Sequence, residues 1–101
     1  MRERVLPEVA LQFEWDEEKS AANLRKHRVG FDEARSVLND PFSLTVCDPD
    51  HSMQEQRYID VGLSARGRLL VVVYVERGSA IRVISCRNAS RKERRRYEEG
   101  L

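Results

Sequence analysis

The sequence predicts an α+β fold: a short N-terminal strand, two helices, an antiparallel meander of about four strands and a C-terminal helix. Three observations carry this expectation. The run Leu69-Leu70-Val71-Val72-Val73-Tyr74-Val75 is almost wholly apolar, as in a central strand covered on both faces, with Arg68 and Arg77 near its ends. Short connections, Ala65-Arg66-Gly67 before it and Gly78-Ser79 after it, join it to strand-like neighbours. Tight turns of this kind link antiparallel strands. Ser90-Arg91-Lys92-Glu93 has the S-x-x-E spacing of a capping box, so a helix follows the last strand.

The elements follow in order. Residues 1–10 read as an extension ahead of a domain spanning 11–100. Leu11, Phe13 and Trp15 alternate with polar residues and predict a short strand. Asp16 is a good N-cap, and Glu17 and Glu18 suit the positive end of a helix dipole. Arg25, Lys26 and His27 suit the negative end, which sets a first helix at 17–27 with Ala21, Ala22 and Leu24 toward the core. Gly30 breaks the pattern, and Asp32 then caps a second helix over 33–38 that buries Ala34, Val37 and Leu38. Proline at position 41 ends it by biasing Asp40 away from helix.

Phe42, Leu44 and Val46 alternate as a strand, and residues 48–52 form a turn-rich loop. In the next strand, 56–63, Arg57, Ile59, Val61 and Leu63 point one way and Tyr58 and Asp60 the other. Residues 81–86 form the strand after the central one, bracketed by Arg82 and Arg87. The last helix covers about 91–99 and Gly100 stops it. All three helices are expected on one side of the sheet, as in a two-layer sandwich.

The formal net charge of +1 conceals a division. Residues 62–96 hold ten Lys or Arg against two acids, a net +8, and the rest holds eight against fifteen, a net −7. The basic half attracts polyanions, with nucleic acid or an acidic protein segment as the natural partner. No apolar stretch nears the roughly 20 residues that span a bilayer. The first eight residues have no signal-peptide core, so a cytoplasmic protein is expected. Cys47 and Cys86 lack CxxC spacing and read as reduced, partly buried thiols. No spacing of Cys and His suggests a metal site, and no glycine-rich phosphate loop is present, so neither metal nor cofactor is expected.

Several residues have the chemistry of a site. Imidazoles exchange protons near neutrality, which makes His27 a candidate acid or base and leaves His51 a weaker one. Lys26 and Arg57 are candidate phosphate contacts, and Glu55 a candidate base. Across the turn at 78–79, Arg77 and Arg82 come close, while Arg68 lies at the far end with Arg87. A pair of guanidiniums at one sheet end makes an anion site. Tyr58 and Tyr74 have faces on which bases stack, although core packing is favoured.

These residues resemble a known family. The strings Phe13-Glu14-Trp15-Asp16-Glu17-Glu18-Lys19, Asn23-Leu24-Arg25-Lys26-His27 and Phe31-Asp32-Glu33-Ala34 are similar to the N-terminal signature of BrnT-type toxins. Asp40-Pro41, Glu55-x-Arg57, Gly67-Arg68-Leu69-Leu70-Val71-Val72-Val73-Tyr74, Ile81-Arg82-Val83-Ile84-Ser85-x-Arg87 and Glu93-Arg94-x-x-Tyr97 continue the likeness in order. Where the family usually has glycine after Lys-His, this chain has Arg28, with glycine displaced to Gly30.

The resemblance implies a RelE-like fold and a type II toxin that cleaves RNA without a metal. It implies a BrnA-like DNA-binding antitoxin, a toxin–antitoxin heterotetramer, and operator DNA bound only through that complex. The positions that carry over are Lys26, His27, Arg68 and Arg87. The expected mechanism places Arg68 and Arg87 as phosphate clamps assisted by Lys26, with His27 or Glu55 as base or acid and Arg57, Arg77 and Arg82 as further RNA contacts. Two other classes remain open on charge alone: a non-catalytic nucleic-acid-binding or repressor subunit, and an interaction module for an acidic protein.

Overall fold

The structure, a computed structural model, describes residues 12–47 and 56–100. The extension at 1–10, and His51 and Glu55, lie outside the described residues. The element order is β1 (Gln12–Glu14), α1 (Glu17–His27), α2 (Phe31–Val37), β2 (Leu44–Cys47), β3 (Gln56–Leu63), β4 (Leu69–Arg77), β5 (Ala80–Asn88) and α3 (Arg91–Glu99). The strands form one sheet in the order β1-β5-β4-β3-β2. The meander β2–β5 is antiparallel as predicted, and β1 joins its far edge parallel to β5, which makes the sheet mixed.

Side chains of facing residues share a face of the sheet, and successive residues alternate. Leu70, Val72 and Tyr74 of β4 therefore point to one face, where Phe31, Ala34, Val37 and Leu38 pack on them with Ile81, Val83 and Cys86. Leu69, Val71 and Val75 point to the other face and are also buried. Tyr58 and Tyr74 stack on the first face with ring centroids 5.6 Å apart. The Tyr74 hydroxyl donates to buried Asp60 at 2.9 Å, so these rings belong to the core and not to a base-stacking surface.

The register of β4 with β5 shifts by one residue. Tyr74 faces Val83 but Val73 faces Ser85, leaving Ile84 as an extra residue, a bulge. Beyond it Cys86 points to the α1–α2 face, and Ser85 and Arg87 point to the opposite one.

The ends of α1 match the expected 17–27, with Asp16 accepting from the Glu18 and Lys19 amides. Its inner face does not match. Ala21, Ala22 and Leu24 are exposed, Leu24 by 52%, and the one buried residue is Asn23. The inner stripe is polar: Asp16, Ser20, Asn23 and His27 recur at helical spacing and are each at least partly buried. The reason lies at the sheet edge. β1 covers β5 only along Ala80–Arg82, so among the described residues the outer backbone of Cys86 has no strand beside it. The Asn23 amide takes that place, donating to Cys86 O at 2.8 Å and Val29 O at 2.8 Å and accepting from Cys86 N at 3.2 Å.

The start of α2 also differs. Gly30, not Asp32, is the N-cap, and the Phe31 amide donates to Ser20 Oγ at 3.0 Å, so a side chain of α1 caps α2. Between the two helices Arg28 sits in the left-handed region at φ 64°, where glycine would be unstrained. Cys47 is exposed rather than partly buried because it lies at the end of edge strand β2, whereas Cys86 is buried and its thiol is pushed up to about 12 by desolvation.

The third helix is the main departure from a one-sided arrangement. Its Glu93 pairs with Arg87, which faces away from α1 and α2, and Tyr97 donates to Asp40 Oδ2 at 2.6 Å. α3 therefore runs across the end of the sheet, from Arg87 on the opposite face to Asp40, which lies beside Gly62 and Val37 on the helix-covered one. Burial pushes the Asp40 carboxyl up, but hydrogen bonds from Tyr97, Leu63 N and Phe42 N outweigh it and hold it below its usual value.

Two outcomes follow. Asn23→Ala removes three buried hydrogen bonds and is expected to cost about 2–4 kcal/mol in urea unfolding. Arg28→Gly relieves the left-handed backbone and is expected to raise stability by about 1 kcal/mol, partly offset by a looser unfolded chain. A neutral Asn23→Ala, or a destabilising Arg28→Gly, would contradict these local accounts.

Candidate active site

The face of the sheet away from α1 and α2 holds a cavity of about 180 Å³. Its floor is Ile59, Val71 and Val73, and its rim is Ser85, Cys86, Arg87, His27 and Glu93. The rim comes from three elements. Ser85 and Arg87 face Val73 and Val71 because of the bulge at Ile84. His27 reaches the cavity around the uncovered edge of β5, where Asn23 fastens α1 and Asn88 Nδ2 contacts His27 O at 3.4 Å. Glu93 stands in the first turn of α3, with Ser90 and Glu93 forming the expected capping box.

The Arg87 guanidinium grips Glu93 with both ends of its fork, Nη1 to Oε1 and Nη2 to Oε2, each at 2.8 Å. Nη1 also donates to Asn88 O at 3.2 Å. Hydrogen bonding from Arg87, against the opposing effect of burial and with help from Ser90, holds the Glu93 carboxyl down at about 2. The same contact pushes the Arg87 guanidinium up. The cavity thus carries a fixed cation, an ionised carboxylate, an imidazole and a hydroxyl above an aliphatic floor. Such a set can bind an anion, move a proton and exclude water from one side.

The expected site residues divide by location. Arg68 and Arg87 lie at the same end of the sheet, since Leu70 faces Asn88, but they do not converge. Arg68 belongs to the set of Leu70 and Val72 and turns to the helix-covered face. There its Nη2 is bonded to Glu33 Oε1, its Nε donates to Glu33 Oε2 at 2.9 Å, and its Nη2 also reaches Arg28 O at 3.1 Å. Glu33 is 6% exposed and also accepts from Ser64 Oγ at 2.7 Å. Its carboxyl is lowered mainly by the Arg68 hydrogen bond, opposed by burial and aided by Ser64. The two guanidiniums are therefore not brought into one pocket: strand alternation puts the sheet between them.

Arg57 and Arg82 both flank Val75 on the cavity face. They stand four residues along β4 from the Arg87 row, about 13 Å at the rise of a strand. Among the described residues, Arg57 Nε is buried with no hydrogen-bond partner. Arg77 and Arg82 approach Glu14 at 3.9 and 3.7 Å, close together as expected and away from the cavity. Lys26 is exposed beside His27 and does not line the cavity.

Three residues were not assigned a site role from sequence: Ser85, Glu93 and Asn23. Ser85 is the middle of Ile84-Ser85-x-Arg87, and its placement depends on the bulge. Glu93 reads as a helix cap, and Asn23 entered only as part of the string Asn23-Leu24-Arg25-Lys26-His27. Among the described residues, no three His, Cys, Asp or Glu side chains gather where they could hold a metal ion. No helix there is long and apolar enough to cross a membrane.

The family model described as the ribonuclease toxin BrnT of type II toxin–antitoxin systems matches residues 15–93. The fold is similar to the crystal structure of the Brucella abortus ribonuclease toxin BrnT, with a TM-score of 0.61 and 26% sequence identity. That likeness covers 81% of this chain and 100% of the Brucella chain. No curated protein matches the sequence. The matched region begins just after β1 and includes both N-terminal helices, the whole meander and the cavity as far as Glu93. The chain belongs to the BrnT family of ribonuclease toxins of type II toxin–antitoxin systems.

Proposed function

We propose that this protein is a metal-independent endoribonuclease whose active site is the cavity bounded by His27, Ser85, Arg87 and Glu93. The observation that carries the reading is the meeting of a guanidinium fork, an imidazole and a hydroxyl around one cavity. In this mechanism the ribose 2′-oxygen attacks the adjacent phosphorus. The 2′-O–P bond forms, the P–O5′ bond breaks, and the products are a cyclic phosphate and a 5′-hydroxyl. Arg87 stabilises the charge that builds on the phosphoryl oxygens, an effect that grows where water is excluded. His27 transfers a proton at the 2′-oxygen or at the leaving 5′-oxygen, and Glu55, outside the described residues, is the candidate for the other transfer. Requirement for a 2′-hydroxyl makes the activity specific for RNA.

Arg57 and Arg82 lie on the cavity face and are assigned to flanking phosphates, with Lys26 and Arg77 as peripheral cations. Arg68 is assigned to the scaffold, since its fork is committed to Glu33 on the other face. In the cell, a cytoplasmic toxin cuts RNA, stops translation and growth, and is neutralised by a BrnA-like DNA-binding antitoxin. The complex, a heterotetramer, represses its own operon, and operator DNA is touched only through the antitoxin.

Purified protein with RNA and a chelator tests the catalytic claim. Cleavage to cyclic-phosphate ends is expected, and binding without cleavage would favour the non-catalytic alternative. Arg87→Ala and His27→Ala are each expected to lower cleavage by roughly a hundredfold or more. Arg87→Ala should leave stability within about 1 kcal/mol, since its ion pair is partly exposed. Arg68→Ala is expected to behave differently, costing about 3 kcal/mol or more by stranding buried Glu33. Full toxicity of Arg87→Ala in inducible expression would remove the cavity from the mechanism.

A further inference from the structure

We propose that Glu93 is a built-in phosphate surrogate: it holds the Arg87 guanidinium in its working orientation and yields that seat to an RNA phosphate. The inference rests on the ribonuclease reading of the cavity and adds a step to it, an exchange of one anion for another on a fixed cation.

The geometry supports exchange rather than simple bracing. A guanidinium fork binds carboxylate and phosphate in the same planar, two-pronged way. Glu93 fills both prongs of Arg87 and lines the cavity together with His27 and Ser85, so it stands where a phosphate at Arg87 would have to sit. Displacement does not release either partner. Arg87 keeps its contact with Asn88 O, and Glu93 keeps the bond that its Oε1 accepts from Ser90 N at 2.8 Å. That second anchor holds the displaced carboxylate at the N-terminus of α3, where the helix dipole favours a negative charge. The ion pair is also open to solvent, 46% on the arginine side and 27% on the glutamate side, so a competing anion can reach it.

A purely structural Arg87–Glu93 pair, one that only fastens α3 to β5, makes the opposite prediction. Loss of a structural contact weakens RNA binding or leaves it unchanged. Loss of a competing anion strengthens it.

Glu93→Gln separates the two readings, because glutamine serves the capping box as glutamate does while carrying no charge. The probe is an RNA that the wild type cleaves, resynthesised with every 2′-hydroxyl replaced by 2′-O-methyl. Binding by Glu93→Gln is expected to tighten about two- to fivefold, the range for one partly exposed ion pair. Glu98→Gln, the same charge change elsewhere on α3, should leave affinity near that of wild type. Weaker or equal binding by Glu93→Gln overturns the exchange, as does equal tightening by Glu98→Gln.

A measurement on the wild type stands even if a variant misfolds. On saturation with the probe, the Glu93 side-chain carboxyl ¹³C signal should move toward that of a solvated glutamate, and an unmoved signal overturns the proposal. Failure of the wild type to cleave the parent RNA would instead remove the ribonuclease reading, so the two failures are distinguishable.

Discussion

The one-residue bulge at Ile84 decides what this sheet can do. Up to Val83 the β4–β5 hairpin follows the register set by its turn, with Arg77 facing Ala80 and Tyr74 facing Val83. Had that register continued, Arg87 would face Leu70 and point to the helix-covered side, where Arg68 lies. The extra residue turns the rest of β5 over, because a shift of one residue exchanges the faces of every side chain beyond it. Cys86 goes into the core, and Ser85 and Arg87 go to the cavity. The two conspicuous arginines at this end of the sheet are thereby given separate work: Arg68 ties α2 to the sheet through Glu33, and Arg87 faces the cavity.

A second constraint follows at the same place. Past the short β1, the outer edge of β5 has backbone groups with no strand to bond them among the described residues, and burying them unpaired would be costly. The Asn23 amide answers by donating to and accepting from the Cys86 backbone. One helical turn further on, this brings His27 around the edge and onto the cavity rim. The same hydrogen bonds that finish the sheet therefore deliver the imidazole, and α1 needs almost no apolar contact of its own.

Much of the fold was legible in the sequence. The ends of α1, the order of the meander strands, the capping box of α3 and the facing of β3 all follow from local chemistry, and each agrees with the final arrangement. Three points were not legible, for physical reasons. Ala21 and Leu24 were assigned to the core on hydrophobicity, but the inner stripe of α1 is polar because it serves a bare strand edge. Nothing in Val83-Ile84-Ser85 marks a bulge, since all three residues suit a regular strand, so the facing of Arg87 was hidden. The side taken by α3 depends on long-range contacts, Glu93 with Arg87 and Tyr97 with Asp40, that its local pattern does not encode. For the site, His27 and Arg87 were found from residue type and family likeness, whereas Ser85 and Glu93 emerged only from the geometry.

In the proposed mechanism RNA is engaged on the face of the sheet opposite α1 and α2, at the cavity made by the bulge. Methyl NMR during titration with a 2′-O-methyl RNA tests it most directly. The methyl signals of Ile59 and Val73 are expected to move first and furthest, while those of Val29 and Val37 on the helix-covered side stay in place. Large shifts confined to the helix-covered side, around Val37 and the Glu33–Arg68 pair, would contradict it.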